Sequence, residues 1–361
     1  MNIFIAILLL LGLAGAFDKV IGGRLGLAVE LDRGLATMGS LALSMAGIYC
    51  IAVTALGGNP ELIAAWGAGL PFDSSLLAGV LLAPDLGGQA IALQLAKTPQ
   101  LAAFTGLLVS STLGCLVSFV LPISLGALQA AGTDGCADPV GNFMNGVVYG
   151  ILVLPLSLFV GGLLLGLPLG QLAVNTLPLL LLCLLLSAAL RLAPRGAVKV
   201  LSALGQLVRV GGILLFCLVT LGVFLPQYAV ASPAVVNEVL VIIFKITVVV
   251  CGSMVASQLI LRYCKRQIDR VAGWLGVNEY AVVGLIISLF TSISMLPLYG
   301  RMDRRGQLMN AAFTVSGAFV LGGQLAFVAT VAPPSQVWAY LGCKLLGGVL
   351  AVVLLRVTDK D

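Results

Sequence analysis

Long apolar runs, separated by short polar stretches, follow one another along the whole chain. Eleven of them approach or exceed the roughly 20 residues that a helix needs to cross a bilayer: 2–17, 35–56, 76–96, 100–122, 143–166, 172–190, 207–226, 236–261, 279–298, 308–332 and 335–356. In lipid, a helix satisfies its backbone hydrogen bonds within its own segment. The pattern therefore predicts an all-α polytopic membrane protein.

Two of these runs are interrupted by polar residues near their centres. The first holds LLAPDLGGQAIALQ at 81–94, and the second continues into SLFTSISMLPLYG at 288–300. Non-helical backbone is tolerated at membrane depth only where protein or a water-filled cavity surrounds it. We interpret 76–96 and 279–298 as re-entrant hairpins whose breaks line a cavity. The alternative for the first run is a surface turn in which Asp85 is an ordinary helix N-cap in water.

The distribution of loop cations favours the hairpins. If all eleven runs crossed, nine loop or tail cations would lie on the cytoplasmic side and seven outside, although cytoplasmic loops normally concentrate Lys and Arg. If the two interrupted runs return to the side they enter, fifteen cations lie inside and only Lys97 lies outside. We therefore expect about nine spanning helices plus two re-entrant hairpins, with the N-terminus outside and the C-terminus in the cytoplasm.

This arrangement predicts an inverted repeat. Two spans, a hairpin and two spans precede the linking span at 172–190, and the same series follows it with every direction reversed. The predicted division is a first repeat at 1–170, a linking span and cytoplasmic loop at 171–200, and a second, inverted repeat at 201–361. Many secondary transporters have this plan, with the substrate site near the midplane where the halves meet.

Composition narrows the class of function. Of the 361 residues, 60% are hydrophobic and 9% are charged, against about 25% charged in soluble domains, and the mean hydropathy is +1.14. The chain has no histidine, which excludes Ser-His-Asp and HExxH chemistry. It also lacks a GxxxxGK[ST] phosphate loop, and its eight cysteines show no metal-type spacing. We expect no enzyme activity, no cofactor, no metal site and no nucleic-acid partner.

The polar residues at the breaks are the candidate substrate ligands. A charged Asp85 near the bilayer centre would cost roughly 3 kcal/mol, so it is expected to face a functional cavity. Lys245 lies about ten residues into its span. A charge at that depth is also costly, so Lys245 is expected to have a partner. One hypothesis is an ion pair between Asp85 and Lys245. The sequence leaves open whether the substrate gates this pair or the pair is purely structural. The substrate-binding candidates are Asp85, Gly87, Gly88, Gln89, Thr291, Ser292 and Gln324.

Four blocks in both halves resemble the ethanolamine utilisation permease family. They are DRGLATMGSLALSMAGI (32–48), AGVLLAPDLGGQAIALQLA (78–96), RMDRRGQLMNAAFTVSGAFVLGG (301–323) and GCKLLGGVLAVV (342–353). The resemblance implies a multi-pass carrier of the bacterial cytoplasmic (inner) membrane that moves ethanolamine by alternating access. It also implies that Asp85 meets the substrate ammonium and that Gly87 and Gly88 let the backbone approach it.

The chain departs from the family pattern at three places. Thr291-Ser292 stands where the family is expected to carry two asparagines, Gly323-Gln324 where it carries Asp-His, and Arg33 where a second carboxylate is usual. These departures indicate a divergent member that moves ethanolamine or a related small amino alcohol. The alternatives are a carrier for another small polar solute, nucleoside-like or neutral, and a membrane receptor or assembly component that binds without transport. Further copies of this chain are candidate partners, in a homo-oligomer.

Overall fold

The computed structural model describes residues 3–56, 69–131 and 138–358, and these residues form helices and turns without a strand. Within them, six helices are long and apolar enough to cross a membrane. The number rises to seven if Lys265–Leu275 and Glu279–Phe290, which meet at 109°, count as one bent span. The all-α membrane class is therefore confirmed. The count of nine spans with two hairpins and the inverted repeat stay predictions.

The helices up to the middle of the chain include several short segments. They are α1 (Ile3–Val20), α2 (Ala28–Leu41), α3 (Gly47–Ile51), α4 (Ser75–Leu81), α5 (Gly88–Leu95), α6 (Pro99–Ala103), α7 (Leu121–Ala131), α8 (Pro139–Leu164) and α9 (Leu169–Leu192). Wider π-helical turns continue some of them, at Ala42–Ala46, Ala52–Leu56, Phe104–Gly114 and Leu116–Val120, and Pro84–Leu86 is a 3₁₀ turn.

The second part of the chain contains the longest helices. They are α10 (Pro194–Phe224), α11 (Pro233–Tyr263), α12 (Lys265–Leu275), α13 (Glu279–Phe290), α14 (Leu296–Tyr299), α15 (Arg304–Ser316), α16 (Gly323–Val331) and α17 (Pro334–Thr358). Two 3₁₀ turns, Pro226–Tyr228 and Ile293–Met295, complete the described elements.

Three long helical segments begin in the same way, with a capping side chain followed by proline. Thr98, Asp138 and Ser232 each accept a hydrogen bond from the backbone N–H three residues later. A proline follows each cap at the first helical position, where its missing N–H costs nothing. The cap satisfies one of the free N–H groups that every helix start exposes. These pairs explain why the spans begin where they do.

Both interrupted runs fold back on themselves. At the first, Ser74 Oγ donates to Leu95 O at 3.2 Å and Lys97 N donates to Asp73 Oδ2 at 3.0 Å. The ends of this segment therefore meet. The N–H of Asn278 likewise donates to Asp303 Oδ1 at 3.1 Å, which closes the segment that contains α13 and α14. The two ends of each segment therefore lie close together, while the re-entrant course of both segments in the membrane stays a prediction.

One expectation about an element boundary is wrong. The run 308–332 is not one continuous helix, because α15 ends at Ser316 and α16 begins only at Gly323. The linking span and cytoplasmic loop at 171–200 stay a prediction; within this range, α9 ends at Leu192 and α10 begins at Pro194. A proline at the first helical turn fits the start of a new helix, whereas it would interrupt a continuing one.

Glycines allow the inner helices to approach backbone to backbone. A Cβ on Gly146 of α8 would lie 2.4 Å from Leu308 O, and one on Gly150 would lie 2.4 Å from Ala312 O. Helices α8 and α15 therefore pack in direct backbone contact. Such contacts are the usual way to gain packing energy in lipid, where apolar side chains do not gain by leaving water.

Candidate functional site

A cavity of about 1000 Å³ lies where three breaks in the helices come together. We define them as break A (82–87), break B (291–292) and break C (317–322). The breaks and the residues beside them contribute Ala83, Asp85, Leu86, Phe290, Thr291, Ile293, Phe319, Gly322, Gly323 and Gln324 to the lining. Helices α2, α10 and α11 and the segment 115–127 provide most of the remaining lining.

Break A is shaped by two glycines that pack against protein. Gly87 has φ +93°, and a Cβ there would lie 2.4 Å from Ile48 Cγ2. A Cβ on Gly88 would lie 2.4 Å from Ser110 Oγ and 2.6 Å from Leu82 O. Neither glycine lines the cavity. The expectation that they let the backbone approach a substrate is therefore not met, because their open sides face neighbouring helices.

The free backbone N–H of break A finds a side-chain partner. Ala83 N donates to Ser118 Oγ at 3.2 Å, and this hydroxyl donates in turn to Gly114 O at 2.7 Å. Buried backbone groups without partners are costly at membrane depth. Ser118 thus stabilises the break and leaves the side chain of Asp85, which is only partly buried, at the cavity surface.

Breaks B and C are joined to each other by main-chain hydrogen bonds. Phe319 N donates to Ser288 O at 2.9 Å, and Leu321 N donates to Leu289 O at 2.8 Å. A Cβ on Gly322 would lie 1.9 Å from Phe290 O. The last carbonyl groups of α13 therefore hold break C in its non-helical course.

Break C also receives two side-chain donors. Ser253 Oγ of α11 donates to Leu321 O at 2.8 Å, and Tyr340 Oη of α17 donates to Phe319 O at 3.2 Å. Phe319 has φ +61°, which is rare for a residue with a side chain. These contacts hold the strained residue at the cavity wall.

A lysine that the sequence did not single out lies beside the cavity. The side chain of Lys344 on α17 is 1% exposed. Its Nζ donates to Gln324 Oε1 and to Ser111 O, both at 2.7 Å, and lies 5.6 Å from the ring centre of Tyr340. Lys344 and Asp85, both in the described part of the chain, do not form a direct ion pair.

The hypothesis of an Asp85–Lys245 pair is wrong. Lys245 is exposed on the outer face of α11, and it forms no ion pair with Asp85 in the part of the chain that the structure describes. Their positions within apolar runs placed both Lys245 and Lys344 inside membrane spans. Only the rotation of each helix decides which of the two points inward.

The remaining candidates divide into two groups. Thr291 and Gln324 line the cavity together with Asp85. Ser292 and Gln89 do not line it: both are buried, and the hydroxyl of Ser292 and Oε1 of Gln89 have no hydrogen-bond partner among the described residues. Oε1 of Gln89 instead packs against Gly106, where a Cβ would lie 1.8 Å away.

Aromatic side chains form a part of the wall that the sequence analysis missed. Phe119 and Phe319 meet edge to face with ring centres 5.8 Å apart, and Phe290 lines the cavity nearby. An aromatic face attracts a cation through its quadrupole. All three residues sit in apolar runs, so no local pattern distinguishes them from ordinary core residues.

An all-helical chain with several candidate spans, organised around discontinuous helices that enclose a partly polar cavity, has the architecture of a multi-pass membrane permease. The family model described as "Ethanolamine utilisation protein, EutH" matches residues 1–357. The chain belongs to this family, which is a family of permeases and not of enzymes.

Curated relatives match over most of their length. The "Probable ethanolamine permease EutH" of Listeria monocytogenes serotype 1/2a is 31% identical, over 98% of this chain and 92% of the relative. The protein of the same name from Salmonella typhimurium is 28% identical, over 96% of this chain and 88% of the relative. The "Uncharacterized protein YxeR" of Bacillus subtilis is 29% identical, over 93% and 89%. No solved structure matches the chain.

Proposed function

We propose that this permease moves ethanolamine, or a related small amino alcohol, across the bacterial cytoplasmic membrane by alternating access. The observation that carries the proposal is the single cavity that gathers Asp85, Thr291 and Gln324 from three separate breaks. Ethanolamine carries an ammonium at one end and a hydroxyl at the other. A carboxylate with neutral hydrogen-bonding groups beside it matches both ends.

Each group has a distinct role in this proposal. Asp85 accepts hydrogen bonds from the ammonium, and the faces of Phe119 and Phe319 attract the same charge. Thr291 and Gln324 bind the substrate hydroxyl. Gln324 already accepts a hydrogen bond from Lys344 through Oε1, so its NH₂ group is oriented as a donor.

The motion we propose follows the division of the chain. The predicted repeats at 1–170 and 201–361 would each contain one hairpin, and residues of both ranges line the cavity. A movement of the hairpins relative to α2, α10 and α11 would change which side the cavity faces. Carriers built from inverted repeats expose a fixed midplane site in this way.

The direct test is uptake of labelled ethanolamine into proteoliposomes. Asp85→Asn should lower uptake by about tenfold or more, because a hydrogen bond to a charged group contributes about 1.5–3 kcal/mol. Asp269→Asn makes the same chemical change at an exposed site on α12 and should leave uptake unchanged. Native uptake no greater than that of empty liposomes would contradict the proposal.

The same assay separates transport from binding alone. A receptor or assembly component would bind ethanolamine, as isothermal calorimetry would show, without accumulating label in the vesicles. The proposed carrier should show both binding and accumulation. Accumulation should fall with Asp85→Asn in step with affinity, since one site serves both.

A second candidate substrate class follows from another part of the cavity. Arg209, Gln206 and Ser202 of α10 also line it, and its volume of about 1000 Å³ greatly exceeds that of ethanolamine. A solute with an ammonium at one end and an anionic group at the other would use Asp85 and Arg209 together. Competition by ethanolamine phosphate, lost on Arg209→Gln, would favour this class.

A further inference from the structure

Lys344 is a buried cation that contacts Gln324 but does not itself line the proposed substrate site. It lies near the middle of α17, its side chain is 1% exposed, and α17 is among the candidate membrane spans. A charged residue at such depth is expensive and persists where it has a specific partner or task.

Two oxygen atoms from separate parts of the chain accept hydrogen bonds from its amine. Ser111 O comes from the π-helical segment after the first hairpin, and Gln324 Oε1 comes from the start of α16, each 2.7 Å from Nζ. Carbonyl oxygens at broken helices are also ligands with which carriers bind a coupling Na⁺.

We propose that the ammonium of Lys344 permanently occupies the place of a coupling cation, so that this permease works without Na⁺. The proposal rests on the proposed transport function. A tethered cation joins α16 to the first half of the chain in every state of the cycle. No metal ion is then needed to bring the breaks together before the substrate binds.

Two substitutions of Lys344 differ in what they leave behind. Lys344→Ala removes the charge and opens space beside Ser111 O and Gln324 Oε1, so a small cation can enter. Lys344→Met removes the charge but fills the space with an uncharged chain of similar length. The pair therefore separates the need for a cation from the need for packing.

The experiment compares uptake in media containing Na⁺ or N-methyl-D-glucamine, a cation too large for the site. Native uptake should be equal in both. Lys344→Ala should lose about tenfold in N-methyl-D-glucamine, because the buried oxygen atoms of Ser111 and Gln324 are left without a cation, and Na⁺ should restore most of it. Lys344→Met should be inactive in both media.

Several results would overturn the proposal. These are a native protein that needs Na⁺, a Lys344→Ala variant that is fully active without it or not restored by it, and a Lys344→Met variant that transports normally. If the variants fail to fold, uptake by the native protein with and without Na⁺ still tests the proposal, because a requirement for Na⁺ would overturn it.

A second readout does not depend on transport. Na⁺ should raise the Tm of detergent-purified Lys344→Ala by about 2 °C or more over N-methyl-D-glucamine, because it binds only the folded state. It should leave the native protein and Lys344→Met unchanged. If the native protein takes up no ethanolamine but this pattern appears, the proposed function fails and the cation site stands. If the pattern is absent, the inference about Lys344 fails.

Discussion

The two halves of the chain break their helices in different ways. Break A contains a proline, a carboxylate and a glycine, and a continuous helical segment stabilises it through Ser118. Breaks B and C carry no charge, and the main chain of C donates hydrogen bonds to the carbonyl end of α13. Break A thus supplies a carboxylate to the cavity, and breaks B and C supply neutral groups and the ring of Phe319.

The comparison also shows one shared solution. In each half, a serine on a neighbouring helix satisfies a backbone group that a break leaves free: Ser118 accepts from Ala83 N, and Ser253 donates to Leu321 O. A serine is small enough to fit between packed helices and can both donate and accept. The breaks therefore differ in chemistry while meeting the same requirement for satisfied backbone groups in lipid.

The largest expected effect tests whether breaks B and C depend on close contact. Gly322→Ala should destabilise the protein by about 3 kcal/mol or more, because its Cβ would lie 1.9 Å from Phe290 O, a backbone atom that cannot easily move. Gly323→Ala is the matched control, since its Cβ would be at an ordinary 3.5 Å from Val250 Cγ2. The measurement is Tm in detergent. Equal Tm values for the two variants would show that break C tolerates a shift.

A smaller effect is expected at break A. Gly87→Ala should cost about 1–3 kcal/mol, from its positive φ together with the contact to Ile48. Gly166→Ala shares a positive φ of +76° but has no neighbour within 4 Å, so it measures the backbone strain alone. The Tm of Gly87→Ala should be lower than the Tm of Gly166→Ala. The reverse order would mean that Ile48 yields without cost.

The smallest effect distinguishes two adjacent hydroxyls at break B. Thr291→Val should lower ethanolamine affinity by about fivefold, since an ordinary hydrogen bond contributes about 1 kcal/mol. Ser292→Ala should leave affinity unchanged, because that hydroxyl is buried outside the cavity. Competition binding in detergent measures both. A loss with Ser292→Ala and none with Thr291→Val would place the substrate on the other side of the break.

Sequence reasoning succeeded for features whose free-energy cost in lipid restricts which residues can stand at that point of the chain. Apolar runs of the required length predicted the helical class, because unsatisfied backbone is too expensive in hydrocarbon. Pro84, Asp85 and the two glycines after them marked break A, and the hydroxyls around Thr291 marked break B. The loop cations predict that both segments return to the side of the membrane they enter; this stays a prediction, and the ends of each segment lie close together.

The tertiary structure decided the features that depend on distant partners. Break C lies in the apolar stretch SGAFVLGG at 316–323, which contains no proline, and the carbonyl groups of Ser288 and Leu289 hold it open. The choice between Lys245 and Lys344 depends on how α11 and α17 are rotated. In both cases the deciding energy comes from hydrogen bonds between separate segments, and no local pattern of residues records those bonds.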